Sequence, residues 1–212
     1  MADKIVQLSP ESPKIKEFTR VIVQGDYTLV KTHEINPDIN KLLKRYGYQW
    51  SYARYAWEHR TWPSLVQVEH AVAEIATLLL ESGYGVEVDN GIAELVVSGE
   101  FEPEIRRWVK AHDGKFVICW QKPEDCYRLA LTAPSARYSP PYISVLSQYY
   151  DEVMDFAEVH KFKVLKSAIE LEASAKQARE NVIMFVPKSK ATAQETKIDE
   201  FAIPANLQDD AL

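Results

Sequence analysis

The block Glu34-Ile35-Asn36-Pro37-Asp38-Ile39-Asn40-Lys41 is echoed in the same register by Glu100-Phe101-Glu102-Pro103-Glu104-Ile105-Arg106-Arg107. The two blocks share Glu, Pro and Ile at matching places and carry similar residues between them. Lys44 then corresponds to Lys110, and Gly47 to Gly114 with one residue inserted. A period of about 66 residues is too long for a solenoid and fits a pair of duplicated small domains.

Local patterns give the content of each copy. Thr19 to Gln24 and Tyr27 to Ile35 read as strands around a Gly25-Asp26 turn. Asn36 is placed to cap a helix with Pro37 at its first position, and Gly47 to end it. Tyr48, Trp50 and Tyr52 alternate with polar residues, and Tyr55 and Trp57 are in phase with each other, so two short strands are expected around a turn at Ser51 to Arg54. The spacing predicts a helix over Ser64 to Ser82, a strand over Tyr84 to Val88, and a turn and boundary at Asp89-Asn90-Gly91. In the second copy a short helix follows Pro103, and a hairpin joins Phe116–Trp120 to Cys126–Leu131. The inserted loop Thr132 to Ser144, a helix over about Val145 to His160 and a strand at Phe162 to Leu165 come next. Trp50 and Trp57 are expected in the core.

The fold class expected is therefore α+β: two tandem small β-α-β-β-α-β modules with a disordered C-terminal tail. Residues 1–24 form a lead-in, 25–90 and 91–187 the modules, and 188–212 a flexible acidic tail. A helix at Ala168 to Arg179 and a buried strand at Val182 to Val186 complete the second module.

Lys44 to Trp62 holds seven aromatics and four cations against one carboxylate. Aromatic faces stack on bases and cations neutralise phosphates, so this composition points to nucleic acid. The chain's net charge of -6 argues against a wholly electrostatic binder, but acids gather after Pro187, and cations exceed acids between Lys31 and Trp62. Lys41, Lys44, Arg45, Arg54 and Arg60 are candidate phosphate ligands, and Tyr52, Tyr55 and Trp62 candidate stacking residues. Arg106, Arg107 and Lys110 extend the track in the second copy. An Arg and aromatic surface serves a protein interface equally well, so an interaction adaptor is the alternative.

No Cys-His, Ser-His-Asp or carboxylate cluster stands out, and the expectation is a non-enzymatic protein without cofactor or metal. Cys119 and Cys126, on opposite arms of the expected hairpin, read as reduced thiols rather than zinc ligands. His70 and Glu74 read as a solvated helical pair. With no apolar leader and no long apolar run, a cytoplasmic chain without a membrane span is expected. Ile198, Phe201, Ile203 and Leu207 among the tail's acids suggest a docking motif for a partner, or a competitor for a basic groove.

A strand, then Asn36-Pro37-Asp38-Ile39, then Trp50-Ser51 and Ala56-Trp57 across a hairpin, then an amphipathic helix and a strand, resembles the HARP domain. That module accompanies Swi/Snf-type translocases that anneal single strands at forks. The resemblance covers about Tyr27 to Val88, and more weakly Ala93 to Lys166. Trp50 and Trp57 match the two Trp positions of the family's W-x-P-x-x-x-x-W pattern, and Lys44 and Arg45 match the basic helix end. Tyr52 or Ala53 stands where the family commonly has Pro, and the chain has no phosphate-loop motif of a motor. The resemblance implies an accessory factor for single-stranded or forked DNA, with a replication or repair protein as a partner through the tail.

Overall fold

Alternating β-branched and polar residues in Phe18–Gln24 (β2) and Tyr27–Lys31 (β3) pair them as an antiparallel hairpin about Gly25. The computed structural model describes residues 4–181, and the expectations for Val182–Val186 and for the acidic tail lie outside the described residues. After the hairpin come helix α1 (Pro37–Arg45), strands β4 (Gln49–Ser51) and β5 (Ala56–Arg60), helix α2 (Val68–Glu81), strand β6 (Gly85–Asp89) and helix α3 (Asn90–Ser98). With β1 (Ile5–Leu8) they form a six-stranded sheet in the order β1-β6-β2-β3-β5-β4, in which β6 runs parallel to β2.

Strands β7 (Arg107–His112) and β8 (Lys115–Trp120) open a second sheet. Helix α4 (Tyr127–Ala130), β9 (Arg137–Ser139), β10 (Tyr142–Leu146), helix α5 (Tyr150–Val159), β11 (Lys163–Val164) and helix α6 (Lys166–Glu180) follow. The sheet order is β11-β7-β8-β10-β9, with β11 parallel to β7. The fold is α+β, and the second sheet repeats the topology of the first without β1. Each module reads β-β-α-β-β-α-β-α, and the expected β-α-β-β-α-β string lies inside each.

The repeat register differs from the one the sequence suggests. The cross-strand pair Val21–Val30 of the first sheet has as its counterpart Val109–Ile118 of the second, all four at most marginally exposed. After α2, Gly83 takes a positive φ and the N–H of Tyr84 donates to the Leu79 carbonyl. After α5, Lys161 takes a positive φ and the N–H of Phe162 donates to the Ala157 carbonyl. Tyr84 and Phe162 then plug the two cores. The echoed block Glu100–Arg107 is thus no second α1. It links the modules, and Arg107 starts β7.

The linker stays extended because its backbone donors are taken by side chains of α2. The Glu102 N–H donates to His70 Nδ1 at 3.0 Å and the Glu104 N–H to Glu74 Oε2 at 3.1 Å. His70 and Glu74 are therefore docking groups, and no helix follows Pro103. Further corrections share a cause, the pairing of chain segments distant in sequence. Residues 1–24 are no separate lead-in, since β1 pairs with β6 and β2 lies inside the sheet. Asn90-Gly91 opens α3 instead of a turn. β8 pairs with β7 and β10, and the expected arm Cys126–Leu131 holds α4. Parts of the expected loop Thr132–Ser144 and the start of the expected long helix are β9 and β10, where Ile143 and Val145 alternate with Ser144. α2 starts at Val68, because Leu65 and Val66 are buried in a turn closed onto the Trp62 carbonyl. Trp57 is in the core, but Trp50 is 40% exposed, because β4 is an edge strand with a single neighbour.

Candidate nucleic-acid interface

The end of α1 and the end of β5 converge on the second module. The Asn36 side chain accepts from the N–H groups of Asp38 and Ile39, which fixes the start of α1 and so the phase of Lys44 and Arg45 in its last turn. Gly47, at φ +85°, turns the chain, and a Cβ there would lie 3.6 Å from the Lys122 side chain and 3.7 Å from His59. The modules thus approach closely at this glycine. A cleft of about 860 Å³ opens beside it. Its cations are Lys44 and Arg60 from the first module and Lys122 from the second, and its aromatic walls include Trp62 and Trp120. The Arg60 guanidinium lies 4.2 Å from the Trp62 ring centroid, an arrangement that pre-orders both. A second recess of about 570 Å³, lined by Arg45, Trp120 and Lys122 among others, continues the surface.

Below the cleft is a largely buried polar joint. His59 Nε2 lies 3.0 and 3.2 Å from the Glu104 carboxylate oxygens, and Arg106 donates to Glu74 at 2.8 Å. The Arg106 guanidinium also stacks 5.2 Å from the Tyr46 ring centroid and donates to the Lys122 carbonyl. Burial opposes the charge on Arg106, but the hydrogen bond and charge of Glu74 outweigh it and hold its pKa above the ordinary value. Burial, helped by the Glu104 charge, raises Tyr48 well above the usual phenol range and keeps it neutral. These groups fix one module against the other and so set the width of the cleft.

The predicted residues divide accordingly. Lys44, Arg60 and Trp62 line the cleft, and Arg45 lines its extension. Lys41, one turn earlier on α1, lines a separate recess with Arg45, Asp38 and Tyr84. Tyr52 and Tyr55 are 81% and 77% exposed at the β4–β5 turn, about 13 Å along β5 from Arg60 at strand rise. Arg54 is engaged by Glu58 and by the Tyr27 ring, 4.3 Å from its guanidinium. Arg106 belongs to the joint. Arg107 is held by Glu124 at 3.1 Å and by the His160 carbonyl at 3.0 Å, and Lys110 is half-buried on β7. These three do not line the cleft, so the expected track through the second module does not run along β7.

Sequence reasoning missed Trp120, Lys122, His59, Glu74 and Glu104. Their partners are tens of residues away, and the local signal at Lys122-Pro123-Glu124-Asp125 is that of a turn. Cys119 and Cys126 are both buried thiols, on β8 and at the start of α4, and burial pushes each up to about 11. Among the described residues no helix is long and apolar enough to cross a membrane. Comparison with family models, with curated proteins and with solved structures finds no match to this chain.

Proposed function

We propose that this chain is a non-enzymatic accessory factor that binds single-stranded or forked DNA in the cleft between its two modules. The observation that carries the reading is the cleft's lining, where three cations from both modules stand beside two indole rings that have open surface. Lys44, Arg60 and Lys122 are the phosphate ligands in this reading, and Trp62 and Trp120 the stacking platforms. Arg45 extends the contact. The HARP resemblance implies the same activity, but the reading stands on the cleft without it. A partner that engages the tail, and a cytoplasmic setting, belong to the same proposal.

Fluorescence anisotropy of labelled single-stranded, duplex and forked DNA tests it. Single-stranded and forked probes are expected to bind at low salt, and a Lys44→Ala/Arg60→Ala/Lys122→Ala variant to lose at least tenfold in affinity. Lys110→Ala, away from the cleft, is expected to bind like the wild type. Absence of binding at low salt overturns the reading. A protein-docking adaptor is the second reading, favoured by the exposed Tyr52 and Tyr55 at the hairpin tip, whose own cation Arg54 is already engaged.

A further inference from the structure

Trp120 forms one wall of the cleft, but its ring also starts a chain of aromatics that leads away from it. Tyr127 packs against Trp120 with centroids 6.4 Å apart and planes at 61°, and Tyr138 against Tyr127 at 5.5 Å and 87°. Tyr127 is 40% and Tyr138 54% exposed. Edge-to-face contact leaves each ring with open surface, in contrast to a parallel stack that would hide it. Arg128 and Arg137 adjoin the two tyrosines in sequence, and both are exposed. Neither forms an ion pair among the described residues. The local acids are engaged instead: Glu124 holds Arg107, and Asp125 accepts from the Tyr127 N–H at 3.2 Å.

The repeat supplies a second, independent observation. Tyr138 is the counterpart of Trp50, since each is the central residue of a three-residue edge strand, is followed by a serine, and pairs with a buried residue of the next strand. Core packing does not require a large exposed ring at either place, yet both modules present one.

The geometry points to a second base-stacking subsite for single-stranded nucleic acid, formed by Trp120, Tyr127 and Tyr138 and continuous with the cleft through Trp120. It rests on the nucleic-acid reading of the cleft. Rings set at steep angles receive bases one at a time, so the ligand is an unstacked single strand and not a duplex. Arg128 and Arg137 contact its phosphates. A strand lying in the cleft then continues over the second module's edge, and affinity grows with strand length beyond what the cleft alone holds.

The test uses the full chain with labelled oligothymidylates of about 4 and about 12 nucleotides, within the range of known single-strand site sizes. Tyr127→Ala/Tyr138→Ala is expected to weaken binding of the longer probe about tenfold or more and to leave the shorter unchanged. Tyr127→Phe/Tyr138→Phe, which keeps the rings, is expected to bind both like the wild type. If the double alanine variant does not fold, Tyr138→Ala alone, at an exposed edge, carries the comparison. Longer-probe binding unaltered by loss of the tyrosines, while Lys44→Ala/Lys122→Ala weakens it, removes the subsite and leaves the cleft. No binding of either probe by the wild type removes both.

Discussion

Arg106 shows how far a residue's role depends on partners that local sequence does not reveal. In the sequence it is a cation in an echoed block, suited to phosphate. In the fold it is paired with Glu74, 32 positions away, and stacked on Tyr46. Removing it leaves the largely buried Glu74 carboxylate without its countercharge, so Arg106→Ala is expected to cost about 3 kcal/mol in urea unfolding. Arg45→Ala, at an exposed helix end, is expected to stay within about 0.5 kcal/mol. The buried thiols make a pH prediction. Cys119 and Cys126 hold their protons to about pH 11 when folded, against about 8.5 for a free thiol. Between those values the unfolded chain has lost protons that the folded one retains. Their contribution is therefore full below about pH 8.5 and lost as pH rises toward 11. Melting temperatures over this range are expected to fall less steeply in Cys119→Ala/Cys126→Ala than in the wild type.

At the scale of elements, what was legible was what local chemistry dictates. α1 is written in Asn36, Pro37 and Gly47, and the β4–β5 hairpin in its alternation. Asn36→Ala removes acceptors for two N–H groups and is expected to lower stability by about 1 kcal/mol in urea unfolding, with Asn36→Asp close to the wild type. The second module was less legible for a physical reason. Its linker donates backbone hydrogen bonds to side chains of α2, and its α4 has only four residues, too few to show a helical period. Exposure at the hairpin was also illegible. Trp50 and Trp57 share a face, and only the edge position of β4 leaves Trp50 open while Trp57 is covered.

At the scale of the molecule, duplication was visible as an idea and misplaced as a register. The echoed Glu-Pro-Ile spacing linked α1 to the interdomain linker, whereas the true repeat matches buried positions such as Val30 with Ile118, which share only the β-branched apolar character common to core strands. The candidate site depends on this scale, because Lys122 and Trp120 meet Lys44 and Arg60 only when the two modules dock through His59–Glu104 and Arg106–Glu74. The central claim, phosphate binding across that joint, is tested most directly by the salt dependence of single-strand affinity. For a strand of about 4 nucleotides, held by the cleft alone, three neutralised phosphates give an expected slope of log K against log salt of about -2, reduced by about 0.7 in Lys122→Ala. A slope near zero, or one that Lys122→Ala leaves unchanged, would contradict it.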